Sequence, residues 1–81
     1  MTTHEAAKIR PIPEMKRVRS STVESVGYEP EHRRLHIKFK SGQHYSYEDV
    51  SPDMHANIHS AQSVGKFVHQ HIKGKYTHRK H

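Results

Sequence analysis

The sequence predicts a small α+β domain: a three-stranded antiparallel β-meander with two short helices packed on one face. Three observations carry this. Leu35, Ile37 and Phe39 alternate with His36, Lys38 and Lys40, the period-two pattern of a strand with one buried face. Ser41-Gly42 and then Tyr45-x-Tyr47 follow, which reads as a tight turn and a second strand. Downstream, two serine-led segments carry apolar residues at helical spacing.

Taken in order, residues 1–19 read as a flexible basic arm. They are poor in apolar side chains, hold Pro11 and Pro13, and offer Lys8, Arg10, Lys16, Arg17 and Arg19 to phosphates. The folded domain is placed at residues 20–76. Ser20 to Tyr28 is the first strand, and it must be bulged, because Val23 and Val26 are not two apart. Glu29-Pro30-Glu31-His32 is a turn, with Arg33-Arg34 solvated beside it.

The hairpin admits two registers. A two-residue turn at Ser41-Gly42 pairs Lys38 with Tyr45 and His36 with Tyr47, and sets both tyrosines on the basic, solvent face. A three-residue turn with a glycine bulge, Lys40-Ser41-Gly42, pairs Phe39 with Gln43 and Ile37 with Tyr45, and turns both rings into the core. A slip of one residue exchanges the faces. The shortage of large core residues favours the bulged turn.

Ser51-Pro52-Asp53 is a helix start: a capping serine, a proline suited to the first position, and an acid that complements the dipole. Met54, Ile58 and Ala61 form its buried stripe. Ser63 caps a second helix, with Val64, Phe67, Val68 and Ile72 on one face and Gly74 at its end. Residues 77–81 read as a basic tail. Tyr28 and Tyr76 are expected at the rim, ring packed and hydroxyl wet.

The 81 residues make one small domain at most, and an apolar share of 31% limits its core. There is no cysteine, hence no disulfide or thiol chemistry. No apolar run reaches membrane-spanning length and no cleavable leader is apparent, so a cytoplasmic protein is the expectation. Net charge is +6, distributed as +3 over residues 1–20, −1 over 21–50 and +4 over 51–81. Basic ends flanking a near-neutral sheet point to a polyanion, most often nucleic acid.

Catalytic chemistry finds little support. Glu48 and Asp49 are adjacent in a strand, so they point to opposite faces and form no dyad. The serines are explained by turns and caps, and the glycines form no phosphate cradle. Ten histidines are unusual for this length. His55 and His59, at i and i+4, can face one ion, with Asp53 or the tail as the source of a third ligand, and His69, His71, His78 and His81 form a loose cluster. Without cysteine or an HExxH motif, no metal site and no cofactor are assigned.

Ser20-Ser21, Val26-Gly27-Tyr28, Leu35-x-Ile37-x-Phe39, Ser41-Gly42, Tyr45-x-Tyr47 and Asp49-Val50 stand in a familiar order, continued by Ser63-x-Gly65-x-Phe67, Ile72 and Lys75-Tyr76. This run resembles the KTSC domain, which occurs at the C-terminus of some lysyl-tRNA synthetases and as a free-standing small protein of bacteria and phages. The resemblance covers about residues 16–76. It implies RNA binding, through the synthetase setting, and brings no catalytic residues with it. Tyr45 and Tyr47 match its hallmark tyrosine pair, and Lys73 and Lys75 match a basic segment near its end. The histidine richness, Ser51-Pro52 and the longer arm depart from its pattern.

The expectation is therefore a non-enzymatic RNA-binding module. Lys38 and Lys40 lie on the open sheet face, Tyr45 and Tyr47 stack on bases if exposed, and Lys66, Lys73, Lys75, Arg79 and Lys80 form a phosphate track. The alternative is a protein-interaction module, such as a small bacterial or phage factor that binds or inhibits a host protein through its sheet face or edge strand.

Overall fold

The computed structural model describes residues 13–81. The parts of the predicted arm before Pro13, including Lys8 and Arg10, lie outside the described residues. The strands are β1 (Lys16–Arg17), β2 (Val23–Glu29), β3 (Arg34–Phe39), β4 (His44–Tyr47) and β5 (His78–Lys80). Helices α1 (Pro52–Ser60) and α2 (Val64–His71) lie between β4 and β5. The strands form one antiparallel sheet in chain order.

The α+β class and the two helices are as the sequence predicts, but the sheet has five strands among the described residues, not three. Both additions are edge strands made of residues assigned to the arm and the tail. Lys16 and Arg17 pair with Val26 and Ser25, and Val18 N–H donates to Glu24 C=O at 3.1 Å. His78, Arg79 and Lys80 pair with Tyr47, Ser46 and Tyr45. Neither segment has an apolar period. Each is held by backbone hydrogen bonds to a strand that the core has already positioned.

The hairpin takes the bulged register. Ile37 faces Tyr45 and Leu35 faces Tyr47, while Phe39 N–H donates to Gln43 C=O at 2.8 Å. Gly42 closes the turn at φ 100°, where a Cβ would be strained, and its N–H donates to Phe39 C=O. The register of β2 on β3 shifts between Val23 and Ser25, the bulge that the valine spacing requires. It lets Val23 and Val26 both point inward.

Ser51 Oγ accepts from Met54 N–H and Ser63 Oγ from Lys66 N–H, so both predicted caps are in place. Ile58 of α1, Val64 and Val68 of α2, and Ile72 beyond it share one core with Val23, Val26, Leu35, Ile37, Phe39 and Tyr47. One face of the sheet is therefore covered by the helices. The other carries Ser25, Gly27, Arg34, His36, Lys38, His44 and Ser46. Among the described residues, no helix is long and apolar enough to cross a membrane.

Candidate nucleic-acid interface

The bulged register decides where the tyrosines stand. Both point to the helix-covered face, so an aromatic platform on the open face is ruled out. Tyr47 is 3% exposed and belongs to the core. Burial, with Tyr45 beside it, raises its phenol pKa above the ordinary value. Tyr45 is half-buried, its ring 6.4 Å from that of Tyr47 and edge-on to Phe39 at 6.1 Å.

Tyr45 opens into a groove of about 490 Å³ between the β3–β4 turn and the end of α2. Lys40, Tyr45, Tyr47 and Lys73 line it, together with Phe39 and His78. The Lys73 ammonium stands over the Phe39 ring, 5.2 Å from its centroid. His78, from β5, has its ring 5.7 Å from Tyr45. A second groove, about 670 Å³, shares Phe39 and Lys73 with the first and adds Arg19 and Lys66. The two make one basic channel across the ends of β2 and β3.

Of the predicted set, Lys40, Tyr45, Lys66 and Lys73 thus meet in this channel, with the buried Tyr47 at its wall. Lys80 stands opposite Tyr45 on β5. Lys75 is exposed beyond α2 and lines neither groove. Lys38 and Arg79 stand on the opposite face, Lys38 across from His44 and Arg79 across from Ser46. Lys38 and Lys40, two apart, end up in different surroundings because Lys40 already belongs to the turn. Phe39 and His78 were missed. Phe39 reads simply as core, and His78 lies in a segment whose strand character has no local signal.

The open face also departs from expectation. His36 is not a solvent-facing platform residue: it is 3% exposed. Its Nε2 lies 2.6 Å from Glu29 Oε2, and its Nδ1 3.0 Å from His44 Nε2. Burial lowers the pKa of His36, against the opposing pull of Glu29, and burial also lowers that of His44. Arg34, expected to be solvated, is half-buried, its Nε 3.0 Å from Glu48 Oε2 and its Nη1 3.7 Å from Glu29 Oε2. Arg33 pairs with Asp49 at 3.3 Å. Glu48 and Asp49 are each committed to an arginine. His55 and His59 do meet, Nε2 to Nε2 at 3.1 Å, but among the described residues neither Asp53 nor a tail histidine joins them as a third ligand.

A KTSC domain model matches residues 19–76. The chain belongs to the KTSC domain family. It is 39% identical over 64 residues to an uncharacterized protein of Stutzerimonas stutzeri, covering 76% of this chain and 90% of that one. It is 34% identical over 62 residues to a protein of Tsukamurella paurometabola, covering 76% and 92%. The crystal structure of a KTSC domain protein from Yersinia pestis superposes with a TM-score of 0.80 at 40% identity, covering 84% of this chain and 96% of that one. β2 to α2 lie within the matched span of the KTSC domain. The edge strands β1 and β5 lie outside it.

Proposed function

We propose that this KTSC domain is a non-enzymatic module that binds single-stranded RNA along the basic channel. Backbone phosphates sit on Lys40, Lys66 and Lys73, and one unstacked base sits against Tyr45 and His78. The observation that carries this reading is the convergence of Lys40 and Lys73 on a half-exposed tyrosine in one groove. Cations placed beside an aromatic edge suit a single strand, whose bases are free to stack while its phosphates follow the charge. A net charge of +6 favours encounter with any polyanion. A cytoplasmic setting accords with this reading.

The competing reading, docking on a host protein by strand addition, has less behind it. The outer strands β1 and β5 are two and three residues long and carry Lys16, Arg17, Arg79 and Lys80. Short, cationic edges discourage a further strand.

The test is fluorescence-anisotropy binding to a single-stranded RNA, a duplex and a tRNA at about 50 and 200 mM salt. Preference for the single strand is expected, weakening steeply with salt. Lys73→Glu and Lys40→Glu should each reduce affinity, whereas Lys38→Glu on the far face should leave it nearly unchanged. Equal weak binding to all three ligands, or a Lys38→Glu loss as large as that of Lys73→Glu, would defeat the reading.

A further inference from the structure

The open face of the sheet, which the channel does not use, gathers two histidines from neighbouring strands and a third from just beyond the edge strand. His36 is on β3 and His44 on β4. His81 follows β5, its backbone N–H donating to His44 C=O at 2.8 Å. One ligating nitrogen of each lies within 4.8 Å of the other two. The rings of His44 and His81 are 4.6 Å apart, and those of His36 and His81 5.6 Å.

We propose that His36, His44 and His81 form a binding site for a divalent transition-metal ion of the zinc class. Nitrogens bound to one tetrahedral zinc at the usual bond length stand about 3.4 Å apart. The 3.0 Å separation of His36 Nδ1 and His44 Nε2 is already close to this. Only His81, which is exposed, must swing in.

The surroundings are those of a built site. Glu29 Oε2 takes the Nε2–H of His36 and so directs the Nδ1 lone pair outward, the carboxylate–histidine arrangement that orients metal-ligating imidazoles. In the metal-free protein the close pair is satisfied when His44 Nε2–H donates to that lone pair. Binding moves this proton to His44 Nδ1 and frees both nitrogens for the ion. The buried Ser46 hydroxyl, 2.8 Å from His81 Nε2, holds the third ring over the sheet. Arg34, Lys38 and Arg79 oppose a cation on this face, and Glu29 opposes them.

An all-imidazole donor set suits zinc, nickel and copper over magnesium or calcium. Three protein ligands leave a fourth position for water or a partner's side chain. The ion would also fasten the edge strand β5 to β3 and β4. Its third ligand, His81, lies outside the family-matched residues 19–76.

The experiment titrates the full chain with Co²⁺ alone, read by visible absorption, then displaces it with Zn²⁺ in a calorimeter. A single tight equivalent with the bands of a four-coordinate nitrogen site is expected, and Zn²⁺ should raise the melting temperature. His44→Ala and His81→Ala, at positions less buried than His36, should each weaken binding at least about tenfold while retaining the far-UV spectrum. Glu29→Gln should weaken it by about tenfold through the orientation of His36. The double variant His55→Ala/His59→Ala should bind as the parent does. Unchanged affinity in His44→Ala and His81→Ala, or loss of binding in the His55/His59 variant, would overturn the proposal.

Discussion

The imidazole of His55 lies flat on the phenol of Tyr28, with ring centroids 4.6 Å apart and planes 11° from parallel. The same tyrosine donates its hydroxyl hydrogen bond to Val50 C=O, just ahead of α1. One side chain of β2 thus fixes both the entry to α1 and a residue in its first turn. The expected wet hydroxyl at the rim is instead a tertiary tie.

The burial of His55 makes stability depend on pH. Burial, then His59 and Lys16, lowers the pKa of His55 in the folded protein. The unfolded chain therefore takes up this proton first as pH falls through about 6.5. The contribution is complete above that value, is lost on descending toward the folded pKa, and then levels off. Melting temperature should fall between about pH 7.5 and 5.5, and less steeply in His55→Gln. An identical slope in His55→Gln, measured by circular dichroism, would contradict this assignment.

Tyr28→Phe keeps the stack and removes only the hydroxyl. It should cost about 1–2 kcal/mol, the usual loss for one hydrogen bond whose partly buried acceptor is left unpaired. Urea unfolding should show the lower midpoint without a change in slope.

Tyr45 and Tyr47 should separate by experiment. Tyr47→Ala empties a buried site and should cost about 3 kcal/mol or more, whereas Tyr45→Ala removes a half-exposed ring and should cost less. For the proposed RNA binding the order should reverse: Tyr45→Ala should weaken it in a folded protein, and Tyr47→Phe should leave it intact. A folded, fully stable Tyr47→Ala would mean that the other hairpin register is present.

Gly27 is where β1 closes on the sheet. A Cβ there would stand 3.0 Å from Glu14 O and 2.6 Å from Met15 Sδ. The thioether can move aside, but the backbone of residue 14 must give. Gly27→Ala should loosen the segment before β2, seen as faster amide exchange at Val18, whose N–H bonds Glu24 C=O. Exchange at Ile37, in the central strand, should change little. Equal acceleration at both amides would show that β1 is not a separable element.

Most of the fold could be read locally. The alternation at Leu35–Phe39, the valine spacing that demands a bulge, and the serines that cap both helices each act within a few residues, where sterics and backbone hydrogen bonding leave few choices. The channel was half legible: Lys40, Tyr45, Lys66 and Lys73 stand out by type, but which of them share a face follows from the register. That register rests on the demand for core volume, which Tyr47 meets.

What the tertiary structure alone decided is whatever depends on partners distant in the chain. Lys16–Arg17 and His78–Lys80 are strands because β2 and β4 offer them carbonyls and amides, not because their own side chains favour it. His36 is buried because Glu29, His44 and His81 close over it, although in sequence it belongs to the polar half of an alternating strand. Residue type and period specify which face each strand turns to the core. Only the completed sheet brings the side chains of β3, β4 and β5 within reach of one another, because proximity across strands is set by pairing rather than by spacing along the chain.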